Sequence, residues 1–283
     1  MDKPHVTIYT PDSLLSHPFK LLRQMLHDLA EGRELAWRLT VRDLSAQYRQ
    51  TFLGFLWAII LPLANTLVWI FLSRSGVVNV SNTALPYPIY VFTGTMLWAI
   101  LMDAVNAPLQ MVTASKSMLA KINFPREALV VAGIYQTLVN ALIKIALLLI
   151  AVAAMGIHPG WGLMLLPIGI ISLIMAGTLI GLALTPVGLL YADVGKAIPL
   201  LMQFLMYLTP VVFAMPKQGL PATVFQLNPL TPLILTARDW LTGMTPEYLG
   251  YFAAVNAIAL VLLFMFWIVF RLAMPILIER MGS

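Results

Sequence analysis

Apolar residues run along this chain in blocks of about twenty, the length of helix that crosses roughly 30 Å of hydrocarbon at about 1.5 Å per residue. The blocks predict spans at about 51-72, 87-109, 128-155, 163-190, 197-213 and 249-270. None shows the short alternating pattern of a barrel strand, so the spans are read as helices. Gly177 and Gly181 in the fourth form a small-xxx-small face suited to close helix packing. Ahead of the first block the pattern is amphipathic. Phe19, Leu22, Leu26 and Leu29 recur at helical spacing opposite Lys20, Arg23 and His27, with Pro18 at the start and Gly32 expected to end that helix. It is read either as an interfacial helix or as a small cytosolic helix packed on its neighbour. In the next stretch Trp37, Val41, Leu44 and Tyr48 share one face while Arg38, Arg42 and Arg49 take another, as a helix on a membrane surface requires. Residues 214-248 are apolar enough to enter a membrane, but Pro216, Pro221, Pro229, Pro232 and Pro246 interrupt them too often for a span. Two short helices that dip into the outer leaflet and return are expected there.

The predicted fold class is therefore an all-α integral membrane protein. It has a cytoplasmic arm and amphipathic interfacial helices over 1-50, one transmembrane domain of six helices over 51-272, a re-entrant segment at 214-248 before the last span, and a cytoplasmic tail at 273-283. Composition agrees, because 60% of the 283 residues are hydrophobic and only 10% charged, a surface that water would not hold in solution. No apolar segment followed by small residues opens the chain, so the first span is expected to serve as its targeting signal. With no cysteine, disulfide and thiolate chemistry are excluded. The net charge of +5 is explained by topology and lipid rather than by nucleic acid. Of the 17 Lys and Arg, the predicted outer segments receive only Arg74, Lys217 and Arg238, and Lys144 lies inside a span. That bias puts both termini in the cytoplasm, in a multi-pass protein of the cytoplasmic membrane.

Catalytic chemistry finds little to stand on. A phosphate-cradling loop needs an upstream glycine and Gly-Lys-Ser/Thr, whereas Gly195-Lys196 is followed by Ala197. The four histidines lack metal-ligand spacing, and there is no GxSxG elbow. No catalytic residue, metal site or cofactor is expected in this chain. Lys144 is the exception to the apolar spans, since a charge at mid-membrane costs about 2.5–3.5 kcal/mol on insertion scales. Either it faces an aqueous conduit and meets phosphate on a lipid-linked cargo, or it snorkels to the outer leaflet. Asp103 is expected too near the inner end of its helix to partner it. Trp98 and Tyr207, set away from span ends, are the aromatic candidates for a conduit wall, because sugar rings stack on aromatic faces. The segment 111-127, with Lys116, Lys121 and Arg126, is on spacing alone an ordinary positive-inside loop with a helix start primed by Pro125.

Four stretches carry a resemblance. Arg42-Asp43, Gln47-Tyr48-Arg49, Leu53-Gly54-Phe55-Leu56-Trp57 and Leu61-Pro62-Leu63 form the first; Tyr87 to Trp98, Lys121 to Leu129 and Asp193 to Phe213 follow in order. Together they resemble type-2 ABC export permeases, and within them the subunits that export lipid-linked polysaccharide such as O-antigen, capsule or teichoic acid. The resemblance implies a homodimer forming the path and a separate nucleotide-binding ATPase subunit that carries ATP and Mg. It implies that Lys116, Lys121, Asn123, Phe124, Pro125, Arg126 and Glu127 lie at or near the ATPase contact. The helix bearing Arg38, Arg42, Tyr48 and Arg49 would then steady the cytoplasmic entrance. Other readings are an ABC exporter of a drug or lipid, and an ATP-independent secondary transporter.

Overall fold

The computed structural model describes residues 18–49, 56–76, 83–119, 121–122, 124–216 and 218–282. Among these residues all regular structure is helical: α1 (Pro18–Arg49), α2 (Trp57–Arg74), α3 (Tyr87–Ala114), α4 (Lys116–Leu119), α5 (Glu127–Ala154), α6 (Leu166–Leu190), α7 (Ala192–Tyr207), α8 (Gly219–Leu227), α9 (Leu230–Thr242) and α10 (Leu249–Gly282). Four of them, α3, α5, α6 and α10, are long and apolar enough to cross a membrane; the apolar part of α2, Ile59–Arg74, is shorter. The chain is a multi-pass membrane protein. The expected start of the first span, 51-55, lies outside the described residues.

At the centre is α3, whose apolar stretch is more deeply buried than that of the other long helices. It lies against α6 nearly backbone to backbone. A Cβ on Gly177 would sit 2.7 Å from the Leu101 carbonyl oxygen, and one on Gly181 would sit 2.5 Å from that of Val105. These glycines are the small-xxx-small pair, and they set the packing distance. The main core gathers side chains such as Ile100, Leu101, Leu173 and Ile234. A smaller one, with Leu39, Val112, Leu129 and Phe270, fills the end of the bundle that carries α4.

Several elements differ from the sequence reading. Gly32 does not end a helix; α1 runs through it as one 32-residue helix. A glycine costs a helix interior only about 1 kcal/mol, and here its lack of a side chain admits α5, since a Cβ would meet that of Ala128 at 3.1 Å. Despite Pro108, α3 continues past Leu109 to Ala114. The turn expected at 191-196 shrinks to Tyr191, because Asp193 sits in the first turn of α7, where a carboxylate stabilises the helix N-terminus. The tail expected at 273-283 continues as the end of α10. Between α7 and α10 stand α8 and α9, of 9 and 13 residues, each too short to cross about 30 Å of hydrocarbon.

Candidate functional site

A polar cleft lies between α3 and α5. On α3, Asp103, Asn106 and Gln110 fall on one face at intervals of three and four; on α5, Gln136, Asn140 and Lys144 do so at intervals of four. The helices run in opposite directions, and Asp103, Asn106 and Gln110 share the lining of one cleft with Gln136 and Asn140. Close approach is permitted by Gly133, where a Cβ would be 3.1 Å from that of Ala107. Gln47 of α1 also lines the cleft, which encloses about 380 Å³. The ammonium of Lys144 donates to the Asp103 carboxylate. Asp103 is therefore its partner, contrary to expectation: the longer α3 raises Asp103 from the inner end to mid-helix. The Lys144 side chain is 14% exposed, so it neither stands free in a conduit nor reaches along the helix to an interface. Thr137 and Asn106 turn back to their own helices, donating to the Gly133 and Met102 carbonyls at 2.9 Å each.

At the end where α3 begins, a second site is built around Arg238, which sequence reading had assigned only to an outer segment. It is 1% exposed. Its Nη1 and Nη2 donate to the carbonyls of Pro210 and Val211 at 2.9 Å each, its Nε to Thr93 Oγ1 at 3.3 Å, and its guanidinium lies 3.9 Å from the centroid of the Tyr90 ring. The Tyr90 hydroxyl donates to the Phe213 carbonyl at 2.9 Å. Asn228 donates to the Leu208 carbonyl and accepts from the Leu230 amide, each at 2.9 Å. The non-helical backbone after α7 is thus held by side chains of α3 and of the α8–α9 pair, as buried carbonyls require. Next to it opens a cavity of about 880 Å³, lined among others by Gln226, Asp239, Glu247 and Tyr248.

At the opposite end, Arg271 of α10 joins two carboxylates. Its Nη2 lies 2.6 Å from Asp28 Oδ2 of α1, and its Nη1 donates to Glu127 at the start of α5. Thr40 of α1 adds a 3.1 Å bond to the Ala132 carbonyl.

The sequence-predicted residues scatter over these regions. Lys116 and Lys121 are exposed, and Phe124, Pro125 and Arg126 are half-buried, while Asn123 lies outside the described residues. Glu127 is 4% exposed and held by Arg271, so it belongs to the interior rather than to a contact surface. Arg38 and Arg42 are exposed and pair within α1, with Glu34 and Asp43. The side chains of Tyr48 and Arg49 lie outside the described residues. Trp98 is buried in the main core at 5% exposure, away from the cleft. Tyr207 packs edge-on against Trp69. The cleft amides went unread although their signal was present, as polar residues repeating at helical spacing inside apolar blocks.

No family model matches the chain. It is similar to curated proteins named O-antigen export system permease protein RfbA. One from Myxococcus xanthus is 24% identical over 215 residues, covering 75% of this chain and 81% of that protein. Two from Klebsiella pneumoniae are 23% and 22% identical, covering 80% and 76% of this chain and 86% and 83% of theirs. Over three quarters or more of its length the chain is thus similar in sequence to proteins named as O-antigen export permeases.

Proposed function

We propose that the chain is the membrane subunit of an ABC exporter that moves lipid-linked polysaccharide across the bacterial cytoplasmic membrane. The observation that carries this reading is the α3–α5 cleft, a wall of amides around an ion pair on helices that are otherwise apolar. Lipid cannot satisfy such groups, at several kcal/mol for each one left unpaired, so the face serves polar cargo or water. Its relatives' names supply the export system. In this reading two copies form the path, and a separate ATPase binds ATP and Mg and closes on itself. Residues Lys116 to Arg126 pass that movement into α3 and α5. Both termini lie in the cytoplasm; α2, α3, α5, α6 and α10 supply five spans, the sixth, expected at 197-213, is made by the 16-residue α7 together with the non-helical backbone that follows Tyr207, and α8 and α9 dip into the outer leaflet as part of an outer gate.

The test is reconstitution of the chain with its co-purifying ATPase in proteoliposomes. A labelled lipid-linked oligosaccharide should cross only with hydrolysable ATP and be stopped by vanadate. Transfer without nucleotide, or by the chain alone, overturns the reading.

A further inference from the structure

We infer that the α3–α5 cleft holds an uncharged, hydroxyl-rich segment of the cargo, a stretch of neutral glycan, and that Asp103 is there to cancel the charge of Lys144. The inference rests on the export reading above and says which part of the cargo this site takes.

The lining determines the chemistry. Gln47, Asn106, Gln110, Gln136 and Asn140 each bring a carboxamide, with two N–H donors and a carbonyl acceptor. A sugar hydroxyl is likewise donor and acceptor at once, so an array of amides matches it from either side. Among the described residues, only Asn106 of these five makes a side-chain hydrogen bond within the protein, leaving the other four for a ligand. An acyl chain or apolar drug would bury the amides unpaired, at about 1–3 kcal/mol for each group. Among the described residues no aromatic or methionine side chain lines the cleft, so binding to them is by hydrogen bonds rather than stacking.

Charge excludes the other polar candidate. A phosphate or acidic sugar needs an uncompensated cation, whereas among the described residues the one cation at the cleft, Lys144, is in contact with a carboxylate that would itself repel an anion. The cleft is neutral as a pair, and among the described residues that line it only Ala107 is apolar. At about 380 Å³ it falls in the range of small-ligand sites and takes a short stretch of glycan rather than a coiled polymer.

The experiment uses the complex with its ATPase in nanodiscs, and measures binding of a neutral mannose oligomer against the same oligomer carrying phosphate. Wild-type protein should prefer the neutral oligomer. Asp103→Asn, which leaves the ammonium uncancelled, should shift the preference toward the phosphorylated oligomer by about tenfold or more, the scale of a charge-assisted bond. Asp103→Asn with Lys144→Met removes both charges and should restore the neutral preference, which also guards against misfolding of the single variant. Gln136→Leu with Asn140→Leu should lose the neutral oligomer. The inference is overturned if wild type prefers the phosphorylated oligomer, if neither variant at Asp103 moves the ratio, or if removing the two amides changes nothing. ATP-dependent transfer measured on the same preparation separates the two claims: its absence alongside the binding pattern removes the export reading, whereas its presence without the pattern removes only the glycan site.

Discussion

Arg238 is a charge placed inside the protein with acceptors but no carboxylate in salt-bridge contact among the described residues. Lysine has one point of charge where the guanidinium has a planar fork, so Arg238→Lys cannot reach two adjacent carbonyls and Thr93 together. Arg238→Ala leaves the Val211 carbonyl unpaired, at about 1–3 kcal/mol, and leaves that of Pro210 with only the Tyr90 hydroxyl at 3.1 Å. The expected result is a loss of about 2–5 kcal/mol, read as lowered stability to denaturant in detergent; an unchanged midpoint contradicts the geometry. Gly94→Ala should be as damaging, since its Cβ would lie 2.2 Å from the Val211 carbonyl and 2.3 Å from Arg238 Nη2. At this scale the sequence was only partly legible. Lys144 could be singled out because a charge in an apolar block is visible without coordinates. Its partner could not, because pairing depends on where two helices start and how they are offset, and an error of one turn in α3 moved Asp103 out of reach.

Among elements, α1, α5 and α10 form one unit through Arg271, and that changes what a push at 116–126 does. Reversing the charges of the exposed Lys121 and the half-buried Arg126 should weaken co-purification of the ATPase while membrane insertion stays intact. Glu127→Gln should leave that association alone and instead free α10 from α5, seen as faster amide exchange in α1 and the last turns of α10. Equal loss of ATPase binding in both variants would return Glu127 to the contact surface. The long elements were legible from the chain, because Pro86 precedes α3, and Gly156, with a φ of 70°, follows α5. What could not be read was tertiary in origin: Gly32 stays helical because α5 needs the space, and α10 outlasts its apolar block because Arg271 has two carboxylates to meet.

For the whole molecule, the absence of cysteine makes the proposed topology directly testable, since a single introduced thiol reports one position. Cysteines at Lys121 and Lys196 should react only after the membrane is permeabilised, and one at Glu247 should react in intact cells. Labelling of all three from one side would refute a six-span arrangement with α8 and α9 returning. The ion pair in the cleft also bears on how such a chain is made. Asp103 leaves the ribosome well before Lys144, and each charge alone carries the insertion cost of about 2.5–3.5 kcal/mol quoted for mid-membrane residues. Helix α3 is therefore a poor candidate for early release into lipid and should wait at the insertion machinery until α5 arrives. A nascent chain arrested before Lys144 should crosslink to the translocon from α3, and one arrested after α5 should not.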